Sequence, residues 1–477
     1  MLRRRNLFQE RYAKFENELR NEILTGSIPP GEFILPENTL SQKYGLSRVS
    51  VRKVLAALVE EGLIEKIAGK GNRVKPPSDQ VERTVIHLYW FSGSYEIPII
   101  EHLIRQYESL HPFIRVELTL LPQSEYTSSL VQMIDKGFPV DLFVVSDFHF
   151  RQFHQLNRTD LLDPYLPESL DPGRDSYPIL FDMFKDGGEQ KVVPLFFSPV
   201  VLAYNQRMFE EAGLDPRQAV ESWDSFLETA KRCTQDLNYD GKTDRFGFCF
   251  STSANRWPIF MLQNGGSIMK PDRSRSVFSS PATVEALKFC VDLMYKHHVS
   301  PVYLHGSRNS AEHLFLMDRV AMVLTTYYYM NEFRQSDFAW NVLPVPAGGR
   351  KVSLLLGSGV GINRHSANPT LVRRFVDFLA SKEAQTTAKQ MGCTIPMLRS
   401  VAEDDQWLTD GIHPRNYNVF REVLPYSVPM SSLNLSQQEM DAIWQDLNLL
   451  WANMESPEQA TKRIEQWLND QLEKKTT

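Results

Sequence analysis

Arg48, Arg52 and Lys53 follow Ser47 and flank an apolar set, Val51, Val54, Leu55 and Leu58, that recurs at helical spacing. Cations at the N-terminal end of such a helix suit a nucleic-acid groove, where Arg can donate two hydrogen bonds to guanine while lysines and backbone amides hold phosphates. Ser47, Arg48, Ser50 and Arg52 are therefore candidate DNA contacts, and Ser47 is also placed to cap the helix. A second group could hold a metal. Asp236, Asn238, Asp240, the carbonyl of Lys242 and Asp244 have the alternating oxygen rhythm of a Ca2+ loop. Gly247 stands where the bidentate Glu of such a loop belongs and Arg245 adds a positive charge, so a turn closed by Asx hydrogen bonds competes with the metal reading. No HExxH, P-loop or GxSxG signature is present, and Gly357, Gly359 and Gly361 run straight into Ile362, unlike a dinucleotide fingerprint. No enzyme is expected, and no cofactor is required.

The cations need elements to aim them. Phe15, Leu19, Ile23 and Leu24 predict a first helix closed by Gly26, Pro29, Pro30 and Gly31; a second runs from Pro36 to Tyr44 and stops at Gly45; the third starts after Ser47. Beyond Gly62, Leu63–Ile67 and Arg73–Val74 flank a Gly-rich tip containing Gly69 and Lys70, a small hairpin or wing. Charge follows the same division: residues 1–77 hold 14 Lys and Arg against 9 Asp and Glu, and the rest holds 38 against 49. Only the first part suits a polyanion. The segments Leu35–Leu40, Tyr44–Arg52 and Glu61–Ile64 resemble the DNA-binding domain of the GntR family, with one residue fewer between Pro36 and Glu37 than the usual motif. The resemblance implies that Asn38 takes the place of a phosphate-contacting Arg and that Arg48, Arg52, Gly69 and Lys70 meet DNA. It also implies a double-stranded operator read at two half-sites, hence a homodimer.

After a polar, Pro-containing linker at 76–82, the pattern changes to alternating strands and helices: Thr84–Trp90, a helix marked by Ile99, Ile100, Leu103, Ile104 and Tyr107, then Ile114–Leu121, Asp141–Val145 and Val192–Tyr204. Open parallel sheets bind ligands at the carboxyl ends of their strands, which makes Trp90, Ser92, Ser146, Asp147 and Ser198 candidates. Residues 86–400 carry further segments, among them Tyr204-Asn205, Met208–Leu214, Ser222–Phe226, Arg245–Phe248 and Gly357–Asn363, that resemble the bacterial extracellular solute-binding proteins of sugar transporters. That resemblance implies a periplasmic-binding-protein-like domain of two α/β lobes with open sheets, the chain crossing near Ser198–Val201 and returning near Leu343–Pro346. The lobes would comprise 83–197 with 344–390, and 198–343 with 391–477. Sugar sites combine aromatic faces with a few hydrogen-bonding groups. Trp257, Tyr327 and Tyr328 could supply faces, with Tyr328 placed on the ligand by resemblance, while Trp223 reads as packing and Gly357 and Ser358 as a strand bordering the cleft.

The chain of 477 residues, 42% hydrophobic and 23% charged, is thus expected to be α/β: a winged helix-turn-helix at 1–75, the linker, and a sensor at 83–477. Cys233, Cys249, Cys290 and Cys393 show no CxxC spacing and read as reduced thiols. No apolar run approaches the roughly 18 residues of a membrane span, and polar Asn6–Arg11 follows Arg3–Arg5 where a signal peptide would turn apolar, so a cytoplasmic, membrane-free protein is expected. The function expected is transcriptional control by a small solute, a carbohydrate by resemblance. Three other readings are a transport-associated binding protein, a glycan-processing enzyme, and a DNA-binding protein whose C-terminal part is a ligand-free scaffold for dimerisation.

Overall fold

The computed structural model describes residues 2–76, 83–253, 255–302 and 310–476; the expected linker, apart from Pro76, lies outside the described residues. The chain forms two compact units, one of Met1–Ser92, Ile97–Phe143 and Ile362–Leu379, the other of Gly93–Glu96, Val144–Gly361 and Ala380–Thr477.

The first unit begins with three helices, α1 (Leu2–Leu24), α2 (Glu37–Tyr44) and α3 (Arg48–Glu60), and a hairpin of β1 (Ile64–Ile67) and β2 (Gly71–Val74). Phe15, Leu19 and Ile23 of α1 meet Leu40 of α2 and Val51, Val54, Leu55 and Leu58 of α3 in one apolar core. The α2 helix ends at Gly45, whose φ of 61° lets the Leu46 N–H reach back to the Ser41 carbonyl at 3.1 Å. That αL closure is one L residues adopt only with strain, which is why a glycine sits at the turn. Two residues on, the Ser47 hydroxyl accepts the Ser50 N–H at 3.2 Å and caps α3. The helix therefore starts at a fixed residue. In the wing, Ile64 pairs with Val74 and Ile67 with Gly71, and Gly69 (φ 74°) turns the tip.

The same unit continues with β3 (Thr84–Phe91), α4 (Ile97–Leu110) and β4 (Ile114–Leu121), β3 and β4 pairing in parallel from Thr84–Ile114 to Phe91–Leu121. The helix α4 buries Ile99, Ile100, Leu103, Ile104 and Tyr107, the residues its periodicity marked. Helix α5 (Tyr126–Asp135) follows, and β5 (Leu142–Ser146) pairs in parallel with β3 through Leu142 and Phe143. Helix Pro369–Leu379 also belongs here, its Phe375 ring 4.7 Å from that of Tyr107.

In the second unit a strand of 13 residues, Val193–Asn205, is buried along its whole length. Its first half pairs antiparallel with Leu355–Val360, and from Val200 onward its partners are Val320–Thr326 and Trp340–Leu343. One strand thus serves two sets of neighbours, with the change at Pro199–Val200. Unlike the parallel first sheet, pairing around this strand is antiparallel, and parallel pairing returns between Phe246–Cys249 and Val320–Val323 and between Ser353–Leu355 and Ser427–Pro429. Helix α6 (Asp147–Gln155) starts at a capping box in which Ser146 and His149 satisfy each other's backbone amides. All four cysteines are buried. Among the described residues no helix is long and apolar enough to cross a membrane.

Candidate functional site

The N-terminal end of α3 is open to solvent. Ser47, Arg48, Val49, Arg52 and Lys53 are exposed, as are Asn38 on α2 and Gly69 and Lys70 at the wing tip. Arg52 is not idle in this state: its Nε donates to Glu37 of α2 at 2.7 Å, a pair whose Arg side chain remains 64% exposed and can exchange partners. Ser50 is a correction. It is buried, and its hydroxyl lies 2.9 Å from that of Ser47, so it completes the cap instead of facing a groove. Val49, 64% exposed beside Arg48, was not singled out from the sequence; an apolar side chain at this end of a groove-reading helix can contact a thymine methyl.

In the second unit, Asp147, Tyr328, Gly357 and Ser358 come together with two residues the sequence reading missed, Ser94 and Glu96. Asp147 accepts from Gly357 N–H at 3.4 Å and from Arg151, one helical turn on, at 3.0 Å. The Tyr328 hydroxyl lies 3.3 Å from that of Ser358, and Ser94 donates to the Glu96 carboxylate. Burial pushes the Glu96 carboxyl up, and burial together with the Glu96 and Asp147 carboxylates pushes the Tyr328 phenol well above its ordinary range. The result is a half-buried aromatic ring beside two carboxyl groups and two hydroxyls, a set that can accept from and donate to the hydroxyls of a polyol. Position was the available signal for the missed pair, since Ser94 and Glu96 fall directly after β3, where ligand loops are expected.

Other candidates take structural roles. Trp257 is a correction: it is 2% exposed and packs edge-on to Phe278 at 6.1 Å and near Trp451 at 6.4 Å, so its faces are spent in the core. Ser198 is also a correction, being fully buried; its hydroxyl donates to the Pro199 carbonyl at 2.9 Å and accepts the Tyr327 N–H at 2.8 Å. It positions the turn that presents Tyr328. Tyr327 is core, donating to the Tyr417 carbonyl at 2.6 Å, and Trp223 stacks on Phe289 at 4.3 Å. Ser146 spends its hydroxyl on the α6 cap. In the first unit Trp90 is buried, and Ser92 is exposed with its N–H held by Leu121 at 2.8 Å.

The Asp236–Asp244 loop closes on itself. Asp236 accepts from Gly241 N–H at 2.8 Å, Asn238 from Asp240 N–H at 2.9 Å, Asp240 from Lys242 N–H at 2.9 Å and Asp244 from Leu237 N–H at 2.8 Å. Among the described residues no three His, Cys, Asp or Glu side chains converge as metal ligands. The loop is closed by Asx-type turns in which one oxygen of each of these side chains accepts a backbone amide.

Fold and sites together define a chain of two kinds of binding chemistry, a winged helix-turn-helix followed by a solute-binding α/β fold. Residues 11–74 match the bacterial regulatory proteins of the gntR family, and residues 93–386 match the bacterial extracellular solute-binding proteins. The chain belongs to the bacterial extracellular solute-binding protein family and carries a gntR-family DNA-binding domain at its N-terminal end. It is 22% identical over 385 residues to the arabinooligosaccharide-binding protein of Halalkalibacterium halodurans, covering 75% of this chain and 82% of that one. The mannosyl-D-glycerate transport/metabolism system repressor MngR of Escherichia coli K12 is 30% identical over 116 residues, 24% of this chain and about half, 48%, of that relative. Among solved structures, the ABC substrate-binding protein Lmo0181 of Listeria monocytogenes, in complex with cycloalternan, superimposes with a TM-score of 0.70 at 23% identity, covering 82% of this chain and 99% of that one. The GacH receptor of Streptomyces glaucescens gives 0.70 at 17% identity, over 82% and 98%.

Proposed function

We propose that the chain is a sequence-specific transcriptional regulator whose affinity for its operator is set by an oligosaccharide held at the Glu96–Asp147–Tyr328–Ser358 site. One observation carries this reading: a single polypeptide presents Arg48, Val49 and Lys53 outward on a capped helix and gathers carboxyl groups, hydroxyls and an aromatic ring in a solute-binding fold. The effector class is supported by what the similar proteins are named for, an arabinooligosaccharide in one and cycloalternan in another. Operator DNA places the protein in the cytoplasm, and two half-sites call for a homodimer. Asn38, Ser47, Arg48, Arg52, Gly69 and Lys70 form the DNA face, Asn38 and Lys70 on phosphates and Arg48 on a base. The chain binds and does not turn over its sugar.

An effector alters DNA binding only through a difference in its affinity for the two states, and a coupling of about 1–3 kcal/mol changes operator affinity roughly 5- to 150-fold. The test is fluorescence anisotropy of a labelled operator with and without arabinotriose or maltotriose, paired with calorimetry of each sugar. Tyr328→Ala is expected to weaken sugar binding by about 1–2 kcal/mol through loss of the ring face while operator affinity without sugar stays unchanged. Equal sugar affinity in both proteins would remove Tyr328 from the site. An operator affinity indifferent to a bound sugar would leave the chain a DNA-binding protein with an uncoupled receptor.

A further inference from the structure

The DNA-binding module is docked on the first sheet of the solute-binding domain, and the contact is built from groups that have no role in either binding site. Phe113 belongs to both parts. Its side chain, 1% exposed, fills the apolar core of the three head helices beside Phe15, Leu19 and Ile23, while its carbonyl accepts the Thr84 N–H at 2.9 Å at the start of β3. The C-terminus of α1 has no basic residue in its own last turn, and Arg374 of helix Pro369–Leu379 supplies the cation, donating to the Thr25 carbonyl at 3.1 Å. A guanidinium there is favoured by the unsatisfied carbonyls and negative end of the helix. Gly26, at φ 72°, lets the turn approach closely: a Cβ at that position would stand 2.4 Å from Nδ1 of His111. The His111 ring in turn packs on Tyr107 at 4.4 Å, and Tyr107 packs on Phe375 at 4.7 Å. Burial and the neighbouring Arg374 hold His111 below the usual histidine range, so a neutral ring faces the turn.

We infer that this dock, Thr25 and Gly26 against Phe113, His111 and Arg374, makes the reading head and the first sheet one rigid body, and that effector binding reaches the operator through it. A flexible tether leaves orientation free, whereas an interface that shares a core residue fixes the head on the first sheet. The regulatory half of this inference rests on the proposed function, and the docking half does not.

The experiment uses the full-length protein with spin labels on Lys66→Cys in the wing and Glu101→Cys on α4, both exposed sites. Electron–electron double resonance is expected to give one narrow distance in the parent, a broad distribution in Arg374→Glu, which sets an anion against the helix carboxyl end, and recovery in Arg374→Lys. A broad distribution in the parent, or the same narrow one in Arg374→Glu, overturns the dock. The coupling is read with whichever of arabinotriose or maltotriose binds by calorimetry. Arg374→Glu is expected to leave the sugar affinity as it was and to shrink the sugar-induced change in operator affinity by about three-fold or more. An undiminished change overturns the transmission role. If neither sugar binds, the effector class under the proposed function fails, and the distance distributions still decide the dock.

Discussion

The groups proposed to face DNA all come from one short stretch, Asn38 to Lys70, with Ser47, Arg48 and Arg52 at one end of a single helix; the groups gathered in the solute-binding fold come from four segments around Ser94, Asp147, Tyr328 and Ser358. A helix N-terminus displays its chemistry by local geometry alone, once a cap and a turn are in place. A sugar site exists only after distant strands have been paired. The two regions therefore differ in what disrupts them: the head is vulnerable through its small core and its caps, the sensor through long-range packing and buried ionisable groups.

The largest expected effect tests that contrast at the head's core. Leu58 is fully buried on the face of α3 opposite the exposed cations. Leu58→Ala is expected to cost about 2–5 kcal/mol, a large fraction of what so small a core can supply. Operator binding should be lost at a lower temperature while sugar binding and the main calorimetric transition remain. If one transition shifts as a whole and carries both activities with it, the head has no separate stability and the comparison breaks.

Acid separates the regions in the other direction. Burial holds His149 at about 3 and His413 at about 4, both in the second unit, whereas residues 1–75 contain no histidine. Below about pH 6.5 these imidazoles take up protons in the unfolded chain and stay neutral in the fold, so the unfolded state binds more protons and stability falls as pH drops. Their contribution is complete above pH 6.5 and is lost toward the folded values. At pH 5 each is expected to cost about 2 kcal/mol, from 1.36 kcal/mol per pH unit over the interval below 6.5. Calorimetry at pH 7.5 and 5 checks this: the sensor transition should fall and His149→Gln should flatten its pH dependence. A head transition equally sensitive over that range would remove the distinction.

Much of the head was legible because its signals are local. Gly45, Ser47 and the apolar set of α3 are read from neighbours in sequence, and the structure places the turn, cap and core face where they fall. The strands of the first sheet were legible for the same reason, Ile114–Leu121 to the residue. The site was less so. Trp257 and Ser198 have the types that bind sugars, but only the assembled core reveals that Phe278 and Trp451 cover one and that the Tyr327 amide occupies the other. Glu96 escaped because a lone carboxylate after a strand is ordinary until Tyr328 is brought beside it. Ser50 shows the same limit inside the head: spacing puts it at the correct end of α3, yet its direction around the helix decides whether it faces water or is buried against the Ser47 cap.

Arg48→Ala is expected to weaken specific operator binding by about 1–3 kcal/mol, with little change in melting temperature, if the guanidinium reads a base. Arg52→Ala should behave differently, because the same substitution also removes the 2.7 Å pair with Glu37 that ties α2 to α3. An exposed pair of this kind contributes about 0–1 kcal/mol, so its loss should register as a small drop in stability alongside any loss of affinity. Gel shifts and thermal melts on both variants separate the roles; a pure affinity loss in Arg52→Ala would show that the Glu37 pair contributes nothing to the fold.

An effect of similar size concerns Ser47, where the fold and the proposed DNA contact would share one hydroxyl. As a cap it accepts the Ser50 N–H at 3.2 Å, and Ser47→Ala should cost about 1 kcal/mol of head stability. If it also touches a phosphate, affinity will fall by more than that destabilisation accounts for. Ser47→Asp separates the two, because aspartate caps a helix as well as serine does and its charge is favourable at a helix N-terminus. The same charge is repelled by a phosphate. A variant that melts like the parent and no longer shifts the operator places Ser47 against the DNA backbone; one that melts and binds like the parent confines it to the cap and moves the edge of the reading face to Arg48.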